Sequence, residues 1–373
     1  MNFLTPEQEM WRTTVARFID EEIGRDYIRK CDREREYPYE AYEKVAKQGW
    51  LGILFSEESG GLGGDIVDYA LMCEGLAKYG FDFSTGLMVA TFTAMNIEKF
   101  GTPEQKERYI QPFLDGNIRF SISISEPGAG SDAASTKTRA RRDGNGWVVK
   151  GQKLWCSGAK ADNAILAMLT RTDPDAPKHK GLSVFLIPND AEGLDIRKLP
   201  TLARRATGTT EIFVDDVKLP ADALLGTENE GWKIITDHLE LERVAVAAAY
   251  VGNAQTAVDD ALRYAHERIQ FDKPIFDFQV IRHMLADMQT QVDAARLLVY
   301  RAANLAAAKT PCTREVSMAK LFASETLQTV TRNGMQILGG HSMLPDADME
   351  PCAASGVRRL AGAGPRCGTR QHG

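Results

Sequence analysis

The sequence predicts a mostly helical α+β protein in which a small antiparallel β domain separates two helical parts. Three observations predict it. Helix caps and apolar stripes recur over residues 1–117, short strand-like runs divided by turn residues occupy 118–227, and long Ala-rich amphipathic stretches fill 228–350. Residues 351–373 keep no helical period and read as an irregular tail.

Taken in order, Thr5-Pro6-Glu7-Gln8 is a capping box with Pro at the first helical position. Trp11, Val15, Phe18 and Ile19 continue it as an apolar stripe. A second helix is expected over 38–48, closed by Gly49, and Ser59 to Gly64 form a glycine-rich loop. A third, over 65–79, places Ile66, Tyr69, Ala70, Cys73, Leu76 and Ala77 on one face and Gly80 just past its end. A fourth runs over 84–100 to Gly101, after which Thr102-Pro103-Glu104-Gln105 repeats the capping box. Strands are expected at 119–125, 146–150, 164–170, 182–187 and 211–218, a spacing that suits a small antiparallel sheet. Helical patterning then returns over 229–267, 277–308 and 311–338. Three long amphipathic helices cannot all be covered by a chain of this size, so an apolar face is expected against another subunit.

At 373 residues the chain exceeds what one hydrophobic core usually supports. A net charge of −6 argues against a nucleic-acid binder. No run approaches 18 apolar residues, so no membrane span is expected. The N-terminal residues carry no secretory pattern, which favours the cytoplasm. The six Cys are scattered without a C-x-x-C, so reduced thiols are expected and no metal site is.

The stretch most suggestive of chemistry is Ser121-Ile-Ser-Ile-Ser-Glu-Pro-Gly-Ala-Gly-Ser-Asp132. Phe120, Ile122 and Ile124 alternate with Ser121, Ser123 and Ser125 as in a half-buried strand. Pro127, Gly128 and Gly130 then break it. A strand entering a Gly-rich turn with hydroxyls at both ends suits a phosphate or pyrophosphate; taken alone, it equally makes an ordinary turn. A second stretch follows about 25 residues on, Gly151-Gln-Lys-Leu-Trp-Cys-Ser-Gly158.

Together, Ser-Glu-Pro-Gly-Ala-Gly-Ser-Asp and Gly-x-Lys-x-Trp-x-Ser-Gly resemble the acyl-CoA dehydrogenase family, FAD-dependent enzymes that desaturate acyl-CoA thioesters. The resemblance spans residues 5–350. It implies an N-terminal helical domain, a middle β domain and a C-terminal four-helix bundle that mediates dimers and tetramers. It implies FAD as cofactor, an acyl-CoA substrate and an electron-transfer flavoprotein as partner. It maps Ile122, Ile124, Ser125, Gly130 and Ser131 onto the flavin and pyrophosphate loop, with Ser131 also near substrate, and Trp155 and Ser157 onto the segment beside the flavin ring. Arg268 and Phe271, with Gln279, resemble Arg-x-x-Phe-Gly…Gln, which reaches the FAD of a neighbouring subunit; here Asp272 stands where Gly is usual. Gln336 and Gly340 belong to a Gln-x-x-Gly-Gly that approaches the adenine half.

Desaturation needs a base for the α-proton, a hydride acceptor and a donor to the thioester oxygen. The candidate base is Glu242, followed by Arg243. A Glu on a long helix otherwise reads as solvated, and Glu240 and Glu242, two residues apart, face different directions. Most family members carry the catalytic Glu in a C-terminal loop, whereas those resembling the isovaleryl-CoA and long-chain enzymes carry it in this helix, directly before an Arg. After Glu350 the chain holds no Asp or Glu, so the loop position has no carboxylate. Glu240 and Arg243 match positions that contact substrate in relatives.

The family pattern ends after Glu350. Residues 351–373 hold four Arg, five Gly, two Pro and no acid, as a shifted reading frame or altered terminus would produce. Loss of the family's C-terminal loop would remove one donor to the thioester oxygen, an effect of about 10²–10³ in rate, and weaken flavin retention. The readings to separate are therefore a dehydrogenase, an acyl-CoA oxidase- or reductase-like enzyme on the same fold, and a non-catalytic oligomeric relative.

Overall fold

A computed structural model of the protein describes residues 4–344. Its helices are α1 (Pro6–Phe18), α2 (Arg25–Glu34), α3 (Tyr39–Lys47), α4 (Ile66–Leu76), α5 (Phe81–Phe100), α6 (Pro103–Leu114), α7 (Gly231–Thr236), α8 (Leu239–Glu267), α9 (Gln279–Ala307) and α10 (Thr313–Leu338). Its strands are β1 (Arg119–Ser123), β2 (Arg139–Asp143), β3 (Gly146–Ser157), β4 (Ala164–Arg171), β5 (Leu182–Pro188), β6 (Leu194–Lys198), β7 (Thr209–Leu219) and β8 (Leu224–Leu225), with a small separate hairpin of β9 (Ile269–Gln270) and β10 (Lys273–Pro274). These elements group into two compact units, one made of Lys30–Gly64 with Gly86–Leu239, the other, over the described residues, of 4–29, Asp65–Thr85 and 240–344. The expected tail lies outside the described residues. Among these, no helix is long and apolar enough to cross a membrane.

The first unit is built on a sheet of order β6-β7-β3-β2-β4-β5-β8, with β1 added on β4. The antiparallel pairing expected from the turns is observed between β2 and β3, β3 and β7, β6 and β7, β4 and β5, and β5 and β8. β1 instead runs parallel to β4, and Arg139 of β2 meets Arg171 of β4 the same way. The cause is topological: the chain leaves β1, makes the β2–β3 hairpin and returns along β4 in its original direction. Trp147, Val149, Leu166, Met168, Phe185, Ile212 and Val214 form the core, with the Trp147 and Phe185 rings edge-on at 5.0 Å. β2 and β6 were not expected from the sequence. They read Arg-Ala-Arg-Arg-Asp and Leu-Asp-Ile-Arg-Lys, and ladder pairing, not apolar content, makes them strands.

In the second unit the capping box opens α1 as expected: Thr5 Oγ1 accepts from the Gln8 N–H at 3.2 Å and Gln8 Oε1 from the Thr5 N–H at 3.1 Å. α4 crosses α8 closely. A Cβ added to Gly252 would lie 1.9 Å from the Glu74 carbonyl oxygen, and the Thr256 hydroxyl donates to Lys78 O at 2.6 Å. The buried Glu74 carboxylate accepts from Arg296 Nε at 2.9 Å and from the Tyr300 hydroxyl at 2.8 Å, joining α4 to α9. Two expectations change. α2 was not anticipated, because Arg25–Glu34 is mostly charged. Gly80 does not cap α4, which ends at Leu76 with Ala77 as its cap residue; its backbone is not left-handed, and a Cβ there would meet Ile28 Cγ2 at 2.9 Å. Close packing accounts for that glycine.

Candidate active site

The two motifs of the sheet-bearing unit meet. β1 presents its serines inward: Ser121 and Ser123 are fully buried, and the Ser121 hydroxyl donates to Ser157 O at 2.8 Å. Ile122 and Ile124 are only half-buried. Phe120 is buried as the apolar/serine alternation suggested, but at Ser121 and Ser123 the serine side is buried too, with the Ser121 hydroxyl satisfied by β3 backbone. The isoleucines are left on the accessible side, together with half-buried Ser125.

Past β1 the backbone closes a tight turn, with Glu126 N–H donating to Ala129 O at 2.9 Å and Ala129 N–H to Glu126 O at 3.1 Å. Gly128 and Gly130 need no left-handed backbone here; a Cβ on either would meet nothing within 4 Å. The glycines thus leave an open backbone surface beside exposed Ser131.

Under this turn lies a buried ion pair that the sequence did not reveal. Lys153 Nζ, fully buried, donates to Glu126 Oε1 at 2.9 Å, Thr136 Oγ1 at 2.8 Å and Ile124 O at 3.1 Å. Glu126 also accepts from the N–H groups of Lys137 at 2.7 Å and Thr138 at 2.9 Å, and from the Thr136 hydroxyl. Burial alone pushes the Glu126 carboxyl up, but Lys153, Thr136 and Lys137 overcome it and hold its pKa down to about 2. Burial draws Lys153 below the ordinary lysine range, opposed by Glu126.

The strand carrying Lys153 then bulges. Pairing of β3 with β7 shifts register between Leu154 and Cys156, and Trp155 adopts φ +66 and is 58% exposed. A bulge re-aims a side chain in this way. Two residues on, the Ser157 Oγ accepts from Arg204 Nη1 at 3.0 Å. No motif had marked Arg204, which follows β6 by several residues and is itself left-handed at φ +60. Half-buried isoleucines, an uncovered indole, an unsubstituted turn and a hydroxyl suit a flat aromatic ring with polar edges joined to a phosphate chain. These residues fit FAD.

The second unit carries the remaining candidates. Glu240, Glu242 and Arg243 lie in the first turn or so of α8, all half-buried. The Glu240 carboxylate accepts from the Thr313 hydroxyl at the start of α10. Arg268 follows α8, and Phe271 and Asp272 form the tip of the β9–β10 hairpin at φ +52 and +59. That tip requires left-handed backbone at both positions, where glycine would be relaxed. Phe271 is 86% exposed. Gln279 begins α9, and Gln336 is exposed on the last turns of α10. Gly340 follows, with nothing within 4 Å of an added Cβ. Tyr264 Oη and His341 Nδ1 are 3.3 Å apart and tie the end of α8 to this segment.

Comparison with known proteins gives matches over most of the chain. Family models match for the acyl-CoA dehydrogenase N-terminal domain over residues 5–117, the middle domain over 121–217 and the C-terminal domain over 229–359. The chain is 38% identical over 356 residues to the probable acyl-CoA dehydrogenase YngJ of Bacillus subtilis, covering 94% of this chain and 92% of that one. It is 33% identical over 351 residues to the subunit CarC of the caffeyl-CoA reductase–Etf complex of Acetobacterium woodii, covering 93% and 92%. Butyryl-CoA dehydrogenase from Megasphaera elsdenii superposes with a TM-score of 0.91 at 29% identity, covering 98% of this chain and 96% of that chain.

Proposed function

The chain belongs to the acyl-CoA dehydrogenase family, and from that premise we propose that it removes the α-proton of an acyl-CoA thioester with Glu242 and passes the electrons to an electron-transfer flavoprotein. Family membership makes it an oxidoreductase and a flavoprotein with FAD as cofactor. When bound, FAD supplies the acceptor for the β-hydride.

The chain's own residues have separate tasks in this reading. Ile122, Ile124 and Trp155 offer apolar and aromatic surface to the ring, and Ser125, Gly130 and Ser131 offer backbone and hydroxyl groups to the pyrophosphate and to substrate. Ser157 offers a hydroxyl to the ring edge. Glu242 accepts the proton, with Glu240 and Arg243 contacting the substrate. Arg268, Phe271, Gln279, Gln336 and Gly340 serve the cofactor of a neighbouring copy, which requires at least a dimer and suits a tetramer. The observation that carries the choice of base is a carboxylate directly before Arg243, half-buried near the start of α8.

The reverse direction is a second reading, favoured by the reductase complex among the relatives. The same base then delivers the proton to the α-carbon. Both readings are tested by recording the visible spectrum anaerobically during addition of saturated acyl-CoAs, and then of enoyl-CoAs to the chemically reduced protein. Bleaching of the flavin bands by the first supports dehydrogenation, and recovery of colour only with the second supports reduction. Flavin bands that respond to neither count against both.

A further inference from the structure

Arg204 is absent from every motif of the family resemblance, yet it makes a specific contact with a residue of the proposed flavin site. Its guanidinium donates to Ser157 Oγ at 3.0 Å, and its side chain is buried, with the whole residue 8% exposed. Its φ of +60 is held by a turn in which the Gly208 N–H donates to Arg204 O at 3.0 Å. The neighbouring Gly158 N–H donates to Gly208 O at 3.0 Å, so the same turn grips the strand immediately after Ser157. Ser157 is therefore approached from two sides by strained non-glycine backbone, at Trp155 and at Arg204. Strain of this kind persists only where the surroundings over-determine it, and it concentrates at functional positions.

The direction of the hydrogen bond matters. A hydroxyl has one proton and two lone pairs. Since arginine only donates, Ser157 must accept from it, and the serine proton points elsewhere. The Ser121 hydroxyl takes the Ser157 carbonyl and not its side chain. Among the described residues the Ser157 hydroxyl proton meets no acceptor.

We propose that Arg204 is a positioning residue that fixes Ser157 as a hydrogen-bond donor toward the flavin ring and, through its charge, strengthens that donation. The inference rests on the reading of Ser157 as a residue of the flavin site. Reduction adds electron density to the ring edge. A donor polarised by a cation stabilises the reduced form more than the oxidised one, so Arg204 raises the flavin's tendency to be reduced.

The test is a double-mutant cycle on the FAD-loaded protein, read as the equilibrium between flavin and a reference dye. Arg204→Met is expected to shift that equilibrium about tenfold toward oxidised flavin, the scale of one charge-assisted hydrogen bond, which for a two-electron couple is about 30 mV. Arg204→Lys retains the charge and is expected to recover most of the shift. In a Ser157→Ala background, Arg204→Met is expected to add less than about threefold, because the residue through which it acts is gone. Thermal melts of each variant monitor folding; should Arg204→Met fail to hold FAD, Arg204→Gln, a neutral donor of similar reach, takes its place in the cycle. A wild-type protein that holds FAD while the Arg204 variants leave the equilibrium unmoved overturns the inference alone, and so do fully additive shifts. A wild-type protein that takes up no FAD overturns the inference together with the functional reading beneath it.

Discussion

Lys153 Nζ lies 2.9 Å from Glu126 Oε1 in a buried pair that joins the two motifs of the proposed flavin site. Glu126 opens the Pro-Gly-Ala-Gly turn, and Lys153 precedes the bulge that exposes Trp155. Through Ile124 O and the Leu154 N–H, which donates to Ser125 O at 2.9 Å, the pair fixes the backbone on both sides of the surface assigned to the ring. Replacing Lys153 by Met leaves a buried carboxylate without its cation. The expected loss is about 3–5 kcal/mol of stability by urea unfolding, with weakened FAD retention. The joint replacement Glu126→Leu and Lys153→Met is expected to cost clearly less than the sum of the single changes. Additive losses would show that the two groups do not act as a pair.

The pair also sets an acid limit. The Glu126 carboxyl is held at about 2 when folded against an ordinary value of 4.5. Its contribution is therefore present in full above pH 4.5 and is lost as pH falls through about 2. At about 1.4 kcal/mol per unit, the shift represents roughly 3 kcal/mol. The stability of the wild-type protein between pH 5 and pH 2, measured by chemical unfolding, should fall more steeply than that of the Glu126→Leu, Lys153→Met protein. Parallel profiles would remove this carboxylate from the account.

Gly252 lies where α8 meets α4, and any side chain there strikes Glu74 O. Gly252→Ala has to separate the helices, at about 1–3 kcal/mol or more, even though alanine favours the helix itself. A lowered melting temperature is the expected result. Unchanged or raised melting would mean that the helix approach is wrong.

Phe271, 86% exposed on a strained hairpin tip, is expected to be covered in the assembled protein. Phe271→Asp should lower the mass measured by sedimentation and release FAD on dilution. Retention of the full mass and of bound FAD would take Phe271 out of the interface.

The capping boxes at Thr5 and Thr102 were legible because a cap is read from four consecutive residues, whereas the one formed by Asp65 and Asp68 at the start of α4 was not. Also legible were the five apolar strands and the long helices, whose periodicity is strong, although the stretch expected as one helix over 229–267 breaks at Asp237 and His238 into α7 and α8. β2, β6 and α2 were not, since charged segments take their structure from ladders and neighbours. The burial of β1 was misread for a related reason: Ser121 turns inward where Ser157 O on β3 accepts its hydroxyl, which alternation within one strand cannot show. In the proposed site, Trp155 and Ser157 could be named from motif spacing. The Glu126–Lys153 pair stood inside those motifs but became a pair only when β1 and β3 lay side by side. Arg204 had no signal, because its contact is made by a turn far along the chain.

The proposed function turns on removal of the α-proton by Glu242. The most direct measurement mixes the FAD-loaded wild-type and Glu242→Gln proteins with saturated acyl-CoAs in D₂O without oxygen, following α-deuterium incorporation by mass spectrometry and the flavin band near ~450 nm. Exchange and bleaching are expected with the wild type. With Glu242→Gln a normal oxidised flavin spectrum is expected, with no exchange and no bleaching. A Glu242→Gln protein that exchanges and bleaches at the wild-type rate would contradict that role.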